Sequence, residues 1–157
     1  MLHNRFDLAY ATLGILGWID DIGAWMRSVT TCLRPSGRLV LIDLHPLMSA
    51  VGGTDPLVLD FPYAFDGPHH FNEPGSYADP TADVDATATV NYAHSLGEIV
   101  TAAVDAGRRI DSLREHLDSP IDPRGNMLDR ELDGRYRLRI GGAAMPVLYT
   151  LTATNPH

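Results

Sequence analysis

An α/β fold with parallel strands is predicted by three observations in the first third of the chain. FDLAYA, from Phe6 to Ala11, is a short β-prone run. Residues 19–33 place Ile19, Ile22, Trp25, Met26, Val29 and Leu33 on one face at a period near 3.6, which is helical. Arg38 then opens the apolar run Leu39, Val40, Leu41 and Ile42, which reads as a fully buried strand. Strand, helix and strand in that order make a βαβ unit, whose crossover helix forces the two strands parallel.

Local signals mark the joints. Asp20 and Asp21 stand at the helix start, where a carboxylate caps free N–H groups and favours the positive end of the dipole. Pro35, Ser36 and Gly37 break the helical pattern and predict a tight turn before the strand. The apolar run stops at Asp43, Leu44, His45 and Pro46. In an open α/β sheet, ligands sit beyond such carboxyl ends.

Residues 47–93 read as a lid or insert. Pro56, Pro62, Pro68, Pro74 and Pro80 punctuate it, and Phe61, Tyr63, Phe65, Phe71 and Tyr77 make it too aromatic for a disordered segment. Helical pattern resumes after Ser95, whose spacing to Glu98 is that of a capping box, and Gly107 is placed to end that helix. IDSLREH, 110–116, alternates as a half-exposed strand. Polar residues 118–135 predict a loop, and PVLYTLTAT, 146–154, a terminal strand.

Composition narrows the partners. The chain has 157 residues, enough for one domain spanning 1–157. A net charge of −8 with twelve scattered basic residues argues against a nucleic-acid backbone and favours a small molecule. No apolar run approaches the roughly 20 residues of a membrane span. The lone Cys32 forms no disulfide within the chain, and with no signal-peptide pattern at MLHNRFDLAY a cytoplasmic location is expected. His69, His70, His94 and His116 lack the i, i+4 spacing of a helical metal site, so no metal is expected.

Several segments together resemble one family. FDLAYATLGILGWIDDIGAWMRSVTTCLRPSGRLVLIDLHP is similar to the fourth strand, following helix and fifth strand of class I S-adenosylmethionine-dependent methyltransferases, including the P-[GS]-G turn. GSYADP (75–80) and HSLGEIVTAAVDAGRRIDSLREH (94–116) resemble a bacterial small-molecule subgroup, and PVLYTLTAT resembles its antiparallel seventh strand. The resemblance implies a partial Rossmann-like fold: strands four, five, seven and six, two helices, a lid, and the last strand antiparallel. It implies S-adenosylmethionine as cofactor, methyl transfer to a small-molecule acceptor, and cofactor contacts at Tyr10, Ala11, Thr12 and Leu13.

His45, at a strand end, is the candidate general base, because an imidazole titrates near neutrality; alternatively it only hydrogen-bonds backbone before Pro46. Tyr77 and His94 are candidate acceptor contacts. The sequence holds no G-x-G-x-x-G, so the family's Gly-rich loop is missing and the chain is expected to start at strand four. Weak or absent cofactor binding by this chain is therefore expected. The rival reading is a non-catalytic remnant or a binding and assembly subunit. Strand 6–11 would then be an unprotected apolar edge, through which the chain is expected to form a homo-oligomer or aggregate.

Overall fold

The computed structural model describes residues 2–54, 56–72, 87–123 and 127–156. The strands β1 (Phe6–Thr12) and β2 (Leu33–Leu44) run parallel, joined through a short 3₁₀ turn (Leu16–Trp18) and helix α1 (Ile22–Cys32). Asp21 is the N-cap of α1, its Oδ1 accepting from the Ala24 N–H at 2.7 Å. Helix α2 (Pro46–Ala50) follows, then β3 (Val51–Thr54) paired with β4 (Leu57–Leu59), and β5 (Pro68–Asn72) paired with β6 (Ala88–Tyr92). Helix α3 (Leu96–Asp105) leads into β7 (Arg109–His116). The chain closes through β8 (Asp129–Arg130), β9 (Tyr136–Ile140), β10 (Ala143–Met145) and β11 (Leu148–Thr154).

The main sheet has the order β1-β2-β11-β7, with β11 antiparallel to both of its neighbours. Ala9, Ala11, Leu39, Leu41 and Leu151 project from one face onto Met26 of α1 and Ile99 and Ala103 of α3. This is the principal core. A second cluster, Met48, Val51, Leu138, Val147 and Leu148, joins α2 and the β8–β10 sheet to the carboxyl end of β2. Both expected terminal signals of α3 hold: Ser95 and Glu98 form a capping box, and Gly107 follows the Ala106 C-cap at φ +80°.

Three expectations need correction. Strand β2 is buried on one face only: Leu39, Leu41 and Asp43 are inside, whereas Val40, Ile42 and Leu44 are half-buried. The residues 34–37 do not precede the strand but bulge within it. Phe6 pairs with Leu33, and the next pairing, Leu8, is with Arg38. Ser36 takes φ +66° in this excursion, and Arg34 reaches Asp7 at 3.0 Å. The bulge lies on β2, at its seam with β1, and does not alter the outer side of β1. Asp7, ion-paired with Arg34, is the charge that strand carries. The span 118–135 is not wholly a loop, because Asp129–Arg130 pairs with β9. Arginines 135, 137 and 139 on that side bind Asp118, Glu131 and Asp133. Beyond the two expected helices, the 3₁₀ turn and the five-residue α2 are present as well.

Candidate active site

The carboxyl ends of β1 and β2 lie side by side, as parallel pairing requires. Along β1, Tyr10 is exposed, Ala11 is buried, and Thr12 and Leu13 are exposed. Leu13 donates its N–H to the Ile42 carbonyl at 2.9 Å and adopts φ +24°, a sparsely populated region for a leucine. Gly14 follows at φ +85°. The loop is fastened by Asp43, whose carboxylate accepts from the N–H groups of Gly14 and Leu16 and of its own neighbour Leu44.

His45 is engaged at both ring nitrogens. Its ring is 4 % exposed and forms the N-cap of α2, Nδ1 accepting from the Leu47 N–H at 3.1 Å. Nδ1 being an acceptor, the proton lies on Nε2, which donates to Glu115 Oε1 at 2.8 Å. Its backbone N–H donates to the Val147 carbonyl. Both ring nitrogens are occupied. Pro46 at the first helical position explains the extended backbone of His45, since a residue before proline avoids the helical region.

His94 is buried as well. Its Nε2 donates to the Ile19 carbonyl at 2.6 Å, and its ring stacks on Phe65 at 5.8 Å, which in turn stacks on Tyr92 at 6.3 Å. These contacts tie the insert to the start of α1. A groove of about 650 Å³ opens beside them, between the amino ends of α1 and α3. Phe65, His94 and Glu98 line it on one side, Asp20, Asp21 and Arg27 on the other. Burial disfavours the charge on Glu98, yet hydrogen bonds from the Ser95 backbone and hydroxyl and from the Phe65 N–H, with nearby His94, hold its carboxyl below the ordinary range. Tyr77 lies outside the described residues.

Two further histidines have side-chain partners: His69 pairs with Asp66, and His116 with the Thr150 hydroxyl. Among the described residues no group of three or more His, Cys, Asp or Glu could hold a metal, and no helix is long and apolar enough to cross a membrane.

The sequence reading missed Asp43 and Glu115. Asp43 had a signal: one acid inside LVLIDL, a run otherwise apolar, has to be hydrogen-bonded where it is buried. Glu115 had none, because its pairing with His45 spans 70 residues of sequence.

No protein-family profile and no curated protein sequence matches the chain. Solved structures do match. The chain has the fold of class I S-adenosylmethionine-dependent methyltransferases. It is similar to an S-adenosylmethionine-dependent methyltransferase from Mesorhizobium loti, at 20% identity and a TM-score of 0.60, over 97% of this chain and 62% of that one. A Methanosarcina mazei S-adenosylmethionine-dependent methyltransferase matches at 13% identity and a TM-score of 0.52, over 97% of this chain and 60% of that one. The glycopeptide N-methyltransferase MtfA, complexed with S-adenosylmethionine, matches at 15% identity and a TM-score of 0.50, over 98% and 55%. The chain thus spans 55–62% of the length of these three structures.

Proposed function

We propose that this chain forms the acceptor-facing part of an S-adenosylmethionine-dependent methyl-transfer domain acting on a small molecule. The observation that supports this most is that the β1 carboxyl end, the fastened loop after it and the start of α1, which lines the groove, follow one another along the chain in a fold of methyltransferases.

The residues at the end of β1 fit one end of the cofactor. Tyr10, Thr12 and Leu13 are exposed there, so apolar side chains can flank a sulfonium while Tyr10–Leu13 carbonyls accept from an ammonium. When bound, S-adenosylmethionine supplies a methyl group on a positively charged sulfur. The chain's own contribution is placement: Phe65 and His94 wall the acceptor's groove, with Tyr77 assigned to the same role from the sequence. Alignment of this kind lowers the barrier without a dedicated base. His45 then serves as a helix cap, not as the base.

The fit is incomplete. Asp43, the carboxylate at this end of β2, is already committed to three backbone N–H groups, so it does not serve the ribose hydroxyls. Each missing charge-assisted hydrogen bond costs about 1.5–3 kcal/mol. The 157-residue chain is expected to bind S-adenosylhomocysteine only in the millimolar range, with amide shifts at residues 10–14 on NMR titration. Micromolar binding by calorimetry would refute the incomplete fit, and shifts confined to other residues would refute the site. The same reading assigns β1, an open edge, to pairing with a second copy.

A further inference from the structure

We infer that Asp43 is a positioning residue for the cofactor-facing loop: its carboxylate, acting from the neighbouring strand, sets the backbone shape of residues 13–16. This rests on the reading that the β1 end faces S-adenosylmethionine.

The argument begins with burial. Asp43 continues the inward column of Leu39 and Leu41 and is 3 % exposed. An unpaired carboxylate there would be strongly disfavoured. Among the described residues no cation pairs with it; the charge is met by the N–H groups of Gly14, of Leu16 at 3.1 Å, and of Leu44 at 2.8 Å. Backbone donors alone can stabilise a buried carboxylate when several converge. Two of the three come from the loop, across 29 and 27 residues of sequence, so they close a tertiary clamp.

The clamped backbone is the unusual one. Leu13 and Gly14 are consecutive residues at positive φ, +24° and +85°. Glycine adopts this freely, but leucine does so only where its surroundings over-determine it. Leu13 is held by one strand hydrogen bond before the excursion, and Asp43 takes the first N–H after it. The loop's shape thus depends on a carboxylate with two oxygens: Oδ1 for Gly14 and Leu44, Oδ2 for Leu16. An amide in the same place keeps one acceptor oxygen and turns the other into a donor.

The side chain in register with Asp43 on β11 is Tyr149, fully buried, its hydroxyl without a hydrogen-bond partner among the described residues. Burial, and then the charge of Asp43, push its phenol well above the ordinary value, so it stays neutral beside the carboxylate. The clamp is therefore enclosed in protein on its inner side.

The test is Asp43→Asn in the 157-residue chain, read by amide hydrogen exchange and by NMR titration with S-adenosylhomocysteine. In the unsubstituted chain, the Gly14 and Leu16 amides are expected to be protected like sheet amides. In Asp43→Asn, exchange at one or both should accelerate at least tenfold while Leu41 and Leu151 stay within twofold. The ligand response at residues 10–14 should weaken at least fivefold. Should the variant not fold, the unsubstituted chain decides the clamp, since exchange of Gly14 and Leu16 at exposed-loop rates overturns it. Loss of protection with an unchanged ligand response overturns the positioning role alone. No ligand response in the unsubstituted chain, with the two amides protected, overturns the methyltransferase reading and the cofactor-facing role with it.

Discussion

The two faces of the main sheet differ sharply in how they are covered. On one, Leu39, Leu41 and Leu151 are fully buried under α1 and α3. On the other, Phe6, Leu8 and Tyr10 are 44 %, 55 % and 62 % exposed, and among the described residues cover arrives at the carboxyl end of β2 through Leu44 and Leu148. Parallel strands ordinarily have both faces covered, because their crossover helices lie on them. The half-buried Val40 and Ile42 belong to a pattern fit for a second layer. The difference teaches that the apolar sequence of β2 records two faces, while the described residues bury one.

The largest effect is expected where that difference is greatest. Leu41→Ala should cost about 2–5 kcal/mol, since it deletes a fully buried side chain and leaves a cavity. Tyr10→Ser, at a comparable height on the other face, should stay within about 0.5 kcal/mol in the monomer. Urea unfolding of both variants at low protein concentration measures the contrast. Equal losses would mean that the exposed face is covered in solution.

Association provides the second test. If β1 pairs with a second copy, Leu8→Lys should convert the oligomer to a monomer without lowering the unfolding midpoint of that monomer, because a lysine on an edge strand opposes strand addition. Light scattering coupled to size exclusion reads the mass. Phe6 is the first residue of the strand, where added pairing frays most easily, so Phe6→Lys should weaken association less. A monodisperse monomer in the unsubstituted chain over a wide concentration range would show that the Asp7–Arg34 ion pair suffices to protect the edge.

How much of this was legible in the sequence follows from the range of each interaction. Helix α1, its Asp21 cap, the Ser95–Glu98 box and the Gly107 stop are written in neighbouring residues, and periodicity exposed them. The 34–37 bulge carries the signals of a turn in Pro35, Ser36 and Gly37, and only the pairing of Phe6 with Leu33 shows that the strand already begins before it. Strand β8 was hidden because two residues, Asp129 and Arg130, are too few to show an alternating pattern on their own. At the site, the strand ends were legible from where apolar runs stop. The clamp of Asp43 and the His45–Glu115 bond were not, since their partners lie 27 to 70 residues away.

His45 sharpens the comparison between the two strand ends, β1 fastened by a carboxylate and β2 by an imidazole. His45→Ala removes the acceptor for Leu47 and should cost about 1–2 kcal/mol. His45→Asn keeps a good N-cap side chain and should recover half or more of that loss. Asparagine cannot act as a base. Methyl transfer in a complete enzyme carrying His45→Asn is thus expected to persist, and its abolition, with stability retained, would restore His45 as the base.

The smallest expected effect lies far from both faces, in the acidic partners of β9. Asp133 binds Arg137 at 2.7 Å and is also bonded by the Arg135 N–H, and its carboxyl is held down to about 2, first by the Arg137 hydrogen bond and then by that N–H. The sign follows from linkage. A carboxyl with a lowered folded value contributes stability that is fully present above its unfolded value, near 3.8, and is lost as pH falls toward 2. Asp133 is 48 % exposed, so solvent screens the pair and the contribution is small. Asp133→Asn should therefore lower the melting temperature slightly at pH 6, and the difference from the unsubstituted chain should shrink below pH 3.8 and vanish as pH falls through about 2. Arg137→Gln should return the Asp133 carboxyl toward its ordinary range in a side-chain NMR titration, and added salt should shrink the pH 6 difference. A titration left unchanged in Arg137→Gln would assign the lowering to the Arg135 backbone instead.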